Sequence, residues 1–308
     1  MDLWLIILLA LLVFGILPVL VMSYVIYSVL LIRTSKEKWG RECSIPDDEE
    51  YKRMFDIGMD WDAKYGACKR AVSVKSGNLD LAGEYFDFGG ERAVIIIPGR
   101  MESCLYSYFF AEPYRACGCN VLVIDNRAHG LSDGKVSSLG YKEYKDILAW
   151  SDLLRSLGNR KIILHGICIG ASCALFAATA KEAPDAIDAI VAEGMYTTFF
   201  ESLKNHMYDG GRPVFPFAYG ILVHIRLISG ANVLTDGPVK RIKNLQKPIL
   251  FLHSKEDIFS LPKKAEILYA SCPAEKTLVW FDHGAHSRIR INNESKYDRA
   301  IAEFLQTL

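Results

Sequence analysis

From Leu3 to Ile32 the chain runs for 30 residues without a charged side chain. A backbone in so apolar a stretch has to satisfy its own N–H and C=O groups, which leaves a helix as its conformation. At 1.5 Å per residue that helix measures about 45 Å, more than the roughly 30 Å hydrocarbon core of a bilayer. Asp2 opens the chain and no small-x-small cleavage site follows, so an uncleaved anchor over residues 1–33 is expected rather than a signal peptide. Pro18 is tolerable within a spanning helix. Arg33, Lys36, Lys38 and Arg41 come directly after the run and no Lys or Arg precedes it. This asymmetry predicts a single-pass membrane protein with the rest of the chain in the cytoplasm.

The other residues read as one soluble domain. The whole chain of 308 residues is 51% hydrophobic and 23% charged, which excludes disordered and collagen-like classes. Its 36 Lys+Arg balance 36 Asp+Glu, so no nucleic-acid partner is expected. The eight cysteines, in a reducing compartment, are expected to be mostly free thiols. Cys117 and Cys119 form a C-x-C without zinc-like partners, so no metal is assigned. No G-x-G-x-x-G follows a strand and no P-loop is present, so no cofactor is assigned.

Residues 34–69 read as a linker and an amphipathic helix, with Asp47 near its N-cap and Tyr51, Met54, Phe55 and Met59 as its apolar positions. Residues 70–308 then alternate strands and helices. Ala71–Val74 and Leu79–Phe86, joined at Gly77-Asn78, give an antiparallel start. Apolar strand candidates follow at 93–97, 121–124, 161–164, 189–191, 249–252 and 277–281. Helices are expected at 105–117, 141–157, 171–183, 263–271 and 296–308. Strands that are apolar on both faces, separated by helices, predict an α/β domain whose mostly parallel sheet is covered on both sides. Residues 196–243 break this rhythm with Gly210-Gly211, Pro213, Pro216 and many aromatics, and an insertion there is expected to form a cap.

Three loops carry chemistry. Gly166-Ile-Cys168-Ile-Gly170 lies between a strand and a small-residue helix, the form of a nucleophile elbow G-x-S-x-G with Cys in place of Ser. The glycines permit a sharp turn, and the helix N-terminus favours negative charge at Cys168. His253-Ser-Lys-Glu-Asp257 leaves the next-to-last strand and Asp282-His-Gly-Ala-His286 the last. The chain order nucleophile, acid, histidine predicts a triad of Cys168, Asp257 and His286, with Glu256 as rival acid and His283 as rival base. The turn Pro98-Gly99-Arg100 after an apolar strand is placed to offer the Arg100 N–H, beside that of Ile169, to an oxyanion.

Pro98-Gly99-Arg100, the stretch Arg127-Ala-His129-Gly-Leu-Ser132-Asp-Gly134, the elbow at Cys168 and the loops ending in Asp257 and His286 together resemble the α/β-hydrolase superfamily. Its membrane-anchored bacterial members and its monoacylglycerol-lipase and serine-aminopeptidase-like groups are the most similar. The resemblance covers about residues 70–308 and implies an α/β-hydrolase fold, with Arg127 and His129 as scaffold. Two departures stand out: Pro98-Gly99 replaces the usual His-Gly, and Cys168 replaces Ser. Members with Cys nucleophiles resemble dienelactone hydrolases and acyltransferases such as polyhydroxyalkanoate synthases. The expected function is hydrolysis of an ester or thioester of a small-molecule or lipid-like acyl substrate through an acyl-Cys168 intermediate. Acyl transfer by the same triad and a catalytically silent binding or scaffold protein stay open.

Overall fold

The computed structural model describes residues 2–41 and 48–308. Its centre is an eight-stranded sheet in the order β1-β2-β4-β3-β5-β6-β7-β8, from β1 Lys69–Ser76, β2 Leu79–Phe86, β3 Arg92–Ile97, β4 Asn120–Ile124, β5 Lys161–Ile167, β6 Ile187–Glu193, β7 Ile249–Ser254 and β8 Lys276–Phe281. β2 pairs antiparallel with both β1 and β4, and the pairs from β4 to β8 are parallel. This is the α/β-hydrolase arrangement that the sequence resemblance implied.

Helices cover both faces, and the strand pleat sends alternate side chains into two cores. On β3, Ala93, Ile95 and Ile97 join one core with Trp150, Leu175 and Phe176. Val94 and Ile96 join the other with Trp61, Phe110, Tyr114 and Tyr297. The helices Glu143–Ser156 and Ile169–Ala178 serve the first core; Glu49–Tyr65 and Glu294–Gln306 serve the second.

Some helices depart from the sequence expectation. The stretch expected as one helix over 105–117 is three short pieces, Cys104–Ser107, Tyr108–Phe110 and Glu112–Ala116. Pro113, which lacks an N–H, restarts the chain at the head of the last piece. The resulting changes of direction bury Tyr108, Phe109, Phe110 and Tyr114 together. The elbow helix stops at Ala178 rather than 183, where the Thr179 hydroxyl donates to the Leu175 carbonyl at 2.7 Å. Asp47 lies outside the described residues; the helix Glu49–Tyr65 is capped by Asp48, whose carboxylate accepts the Tyr51 N–H at 3.0 Å.

The apolar helix Leu3–Leu31 is long and apolar enough to cross a membrane. Pro18 cannot meet the Phe14 carbonyl, and the turns just before it widen so that the Leu17 N–H reaches back to Leu12. Residues 32–41, the end of the expected anchor and the start of the expected linker, are docked on the domain. Ile32 bridges Val136, Arg33 donates to the Gly130 and Ser132 carbonyls, and Trp39 stacks on His129 at 4.8 Å. Lys38 Nζ closes the helix end on the Ser28, Val29 and Ile32 carbonyls, and Arg41 pairs with Glu84 and Asp125. Between β6 and β7 the chain forms the helices Phe199–Asp209, Phe217–Ser229 and Pro238–Arg241.

Candidate active site

β5 ends at Ile167, and the next residue, Cys168, has a φ of 54° and ψ of −112° that place it in a sparsely populated region. The turn is tight because both flanking residues lack a Cβ. One on Gly166 would lie 2.2 Å from the Gly170 carbonyl carbon, and one on Gly170 would lie 2.1 Å from the Ile97 oxygen. Close packing of β3, the turn and the helix Ile169–Ala178 therefore depends on these two glycines, and it lifts Cys168 to the C-terminal edge of the sheet.

Asp257 and His286 arrive from the ends of β7 and β8. Asp257 is buried, and its Oδ1 accepts the N–H groups of Phe259 and Ser260 at 2.9 and 2.7 Å. Its Oδ2 accepts from His286 Nδ1 at 2.7 Å. Burial would raise the Asp257 carboxyl, but the His286 charge and hydrogen bond outweigh it and hold the group below the usual carboxylate range. Burial likewise opposes charge on His286, and there Cys168 first and Asp257 second outweigh it, raising the imidazole well above the ordinary 6.5. His286 Nε2 is buried without a hydrogen bond that meets ordinary geometry; its electrostatic partner is the Cys168 thiol. Gly194 makes room for the ring, since a Cβ there would sit 3.1 Å from His286 Cε1.

The rival acid and rival base meet each other elsewhere. Glu256 Oε1 lies 3.3 Å from His283 Nδ1 and its Oε2 accepts the Gly284 N–H at 2.9 Å, with side chains 53% and 78% exposed.

The turn after β3 is braced from within. The Gly99 N–H donates to Glu102 Oε2 at 2.8 Å and the Met101 N–H to His129 Nε2 at 3.3 Å. His129 Nδ1 in turn donates to the Arg127 carbonyl at 2.9 Å, and burial lowers the imidazole to about 4, so it is neutral and can accept. Arg127 forms a two-pronged pair with Asp146 at 2.7 and 2.6 Å, away from Cys168. Among the described residues, neither the Arg100 N–H nor the Ile169 N–H has a hydrogen-bond acceptor. Both residues line a pocket with Cys168, and Tyr196, Phe199, Leu203, His206 and Leu30 complete its wall with Ser202. Its free space is about 30 Å³, enough for one or two water molecules. A wider, open groove lined by Arg155, Arg160 and Asp185 lies before β5 and β6, at the opposite edge of the sheet, and contains none of these groups.

Residues 92–210 match the family described as alpha/beta hydrolase fold. The chain has the α/β-hydrolase fold. It is 28% identical over 271 residues to the uncharacterized protein YqkD of Bacillus subtilis, covering 85% of this chain and 88% of that one. It is 25% identical over 199 residues to the alpha/beta hydrolase domain-containing protein WAV2 of Arabidopsis thaliana, 61% of each. Among solved structures, the Pyrococcus furiosus esterase Pf2001 superposes with a TM-score of 0.68 at 22% identity, covering 80% of this chain and 93% of that one.

Sequence reading of this α/β-hydrolase fold passed over two residues of the site. Glu102 folds back on the Gly99 N–H, takes a hydrogen bond from the Tyr51 hydroxyl, and is raised by burial to about 7 against the lowering pull of Gly99 and His286. A Gly-x-x-Glu after an apolar strand was the available signal. Leu30 reaches the pocket from the apolar helix, and no local pattern marks it.

Proposed function

We propose that this protein is a membrane-anchored hydrolase of esters or thioesters working through Cys168, His286 and Asp257, with its domain on the cytoplasmic side. The observation that carries the reading is the pocket that Cys168 shares with two unengaged N–H donors, Arg100 and Ile169, with the His286–Asp257 pair coupled to the thiol. Cys168 Sγ attacks the acyl carbonyl carbon as its proton passes to His286 Nε2. The carbonyl electrons move onto oxygen, where the Arg100 and Ile169 N–H groups donate to the developing charge. Collapse expels the alcohol or thiol, which takes the proton from His286 and leaves acyl-Cys168. Water then gives a proton to His286 and its hydroxyl to the acyl carbon, Cys168 Sγ leaves and takes that proton back from His286, and the acid is released.

Asp257 keeps His286 in the tautomer with its proton on Nδ1, so that Nε2 faces the thiol. Arg100 adds a positive side chain to the pocket wall; burial lowers its guanidinium and Cys168 pulls the other way. Cys168 in the elbow supports a second reading, acyl transfer, because a thioester yields readily to an amine or thiol acceptor. Steady-state turnover of p-nitrophenyl esters and acyl-CoAs by wild type and Cys168→Ala tests the proposal. Turnover by wild type that Cys168→Ala abolishes is expected; indistinguishable traces from the two proteins contradict it.

A further inference from the structure

The apolar helix Leu3–Leu31 does not stop at the domain surface. Ser23, Tyr27 and Leu31 are buried, at the i, i+4, i+8 spacing of one helix face. This face crosses the cap helix Phe217–Ser229 at Gly220, where a Cβ would lie 2.1 Å from Ser23 Oγ. Small residues at such a crossing let two backbones approach closely. Polar contacts fix the crossing: Ser23 Oγ donates to the Phe217 carbonyl at 3.2 Å and His224 Nε2 to the Leu20 carbonyl at 2.9 Å. One residue before the buried Leu31, Leu30 forms a wall of the Cys168 pocket together with Phe199 and Leu203.

The same crossing leaves an apolar surface uncovered. On the cap helix Tyr219, Val223 and Leu227 are 48%, 44% and 75% exposed, again at i, i+4, i+8. Beside them Tyr24, Val25 and Val29 of the apolar helix are exposed. Both faces continue the surface of a helix with the length of a membrane span. The occupant that this continuity favours is the bilayer that would hold the span.

We propose that the last turns of the apolar helix are a wall of the substrate site as well as an anchor: Leu30 limits the acyl chain that reaches Cys168, and the chain enters from the hydrocarbon layer between this helix and the cap helix. The substrate class is then an acyl lipid resident in the membrane. The assignment of turnover rests on the proposed function above; the route to Cys168 does not. A pocket of about 30 Å³ holds little beyond the reacting carbonyl. A longer chain therefore runs past Leu30.

The test uses the full chain in phospholipid vesicles and in detergent, with N-ethyl-, N-hexyl- and N-dodecylmaleimide as probes. Addition to Cys168 is followed by peptide mass spectrometry and needs no turnover. Leu30→Ala should raise the dodecyl-to-ethyl rate ratio at Cys168 by about tenfold and Leu30→Trp lower it comparably, the scale of gaining or losing a few methylene contacts. Leu30→Met, close in volume, should keep the wild-type ratio and shows that substitution there is tolerated. Leu227→Glu should slow the dodecyl reagent in vesicles and leave detergent rates unchanged. A ratio indifferent to Leu30→Ala and Leu30→Trp, in proteins with wild-type ethylmaleimide rates, overturns the proposal even if ester turnover is robust. A shifted ratio in a protein without turnover supports the route and refutes only the hydrolase reading.

Discussion

Asp257 turns inward to meet His286 at 2.7 Å, while its neighbour Glu256 turns outward to the exposed His283. Adjacent residues on one loop thereby acquire opposite environments, and the difference is set by the Phe259 and Ser260 N–H groups that hold Asp257 from behind. Asp257→Asn should lower kcat for ester hydrolysis by about 10⁴-fold, the scale known when a triad carboxylate is neutralised. Glu256→Gln should stay within about twofold, as expected of an exposed pair. Steady-state assays of the two variants check this, and equal losses would contradict the assignment of roles.

His286 should titrate above 6.5, because Cys168 and Asp257 together outweigh its burial. Removing Cys168 leaves burial less opposed, so Cys168→Ala should shift the midpoint down. NMR titration of the imidazole Cε1–H signal reads this directly. A midpoint unmoved by Cys168→Ala would mean that thiol and imidazole are not coupled.

Glu102 offers a stability measurement. Its carboxyl is raised from 4.5 to about 7, so the folded state holds the proton more tightly than the unfolded chain. The corresponding stability is complete below pH 4.5 and is lost as the pH rises through about 7. Glu102→Gln keeps an acceptor for the Gly99 N–H and has no charge to bury. Relative to wild type it should gain about 3 kcal/mol between pH 4 and pH 8. Urea unfolding at the two pH values tests it, and a pH-independent difference would contradict the burial of this carboxyl.

Two glycines of different circumstance separate clash from strain. Gly170→Ala drives a Cβ to 2.1 Å from the Ile97 oxygen, whereas Gly158, at φ +93°, has open space around it. Gly170→Ala should cost more than about 4 kcal/mol or prevent folding, and Gly158→Ala about 1–2 kcal/mol from its backbone conformation alone. Thermal unfolding of both variants decides it; similar small losses would mean that the elbow is looser than described.

Much of the fold was legible because its signals are local. The β3 run Ala93–Ile97 is apolar on both faces since it feeds two cores, and the Gly166 and Gly170 pair marks a turn where no Cβ fits. Longer-range relations were less so. The run 105–117 has helical periodicity, but Pro113 and the burial of four aromatic rings divide it. Glu256 and Asp257 are indistinguishable by type and neighbourhood in the chain, and only the direction each side chain takes separates them. The basic residues after the apolar helix were legible as an orientation signal, but not that Arg33, Lys38 and Arg41 engage carbonyls and carboxylates of the protein itself. Leu30 joins the pocket only through tertiary packing, which no periodicity encodes.

The central claim is that Cys168 carries the acyl group, and intact-protein mass spectrometry during incubation with a panel of acyl-CoAs and activated esters tests it most directly. Wild type should gain the mass of one acyl group, located at Cys168 by peptide mapping and trapped to higher occupancy in His286→Ala once formed. Discharge by water marks a hydrolase, and discharge only on adding an amine or thiol marks a transferase. No adduct at Cys168 with any donor, while the other thiols are modified equally in wild type and Cys168→Ala, would contradict the account.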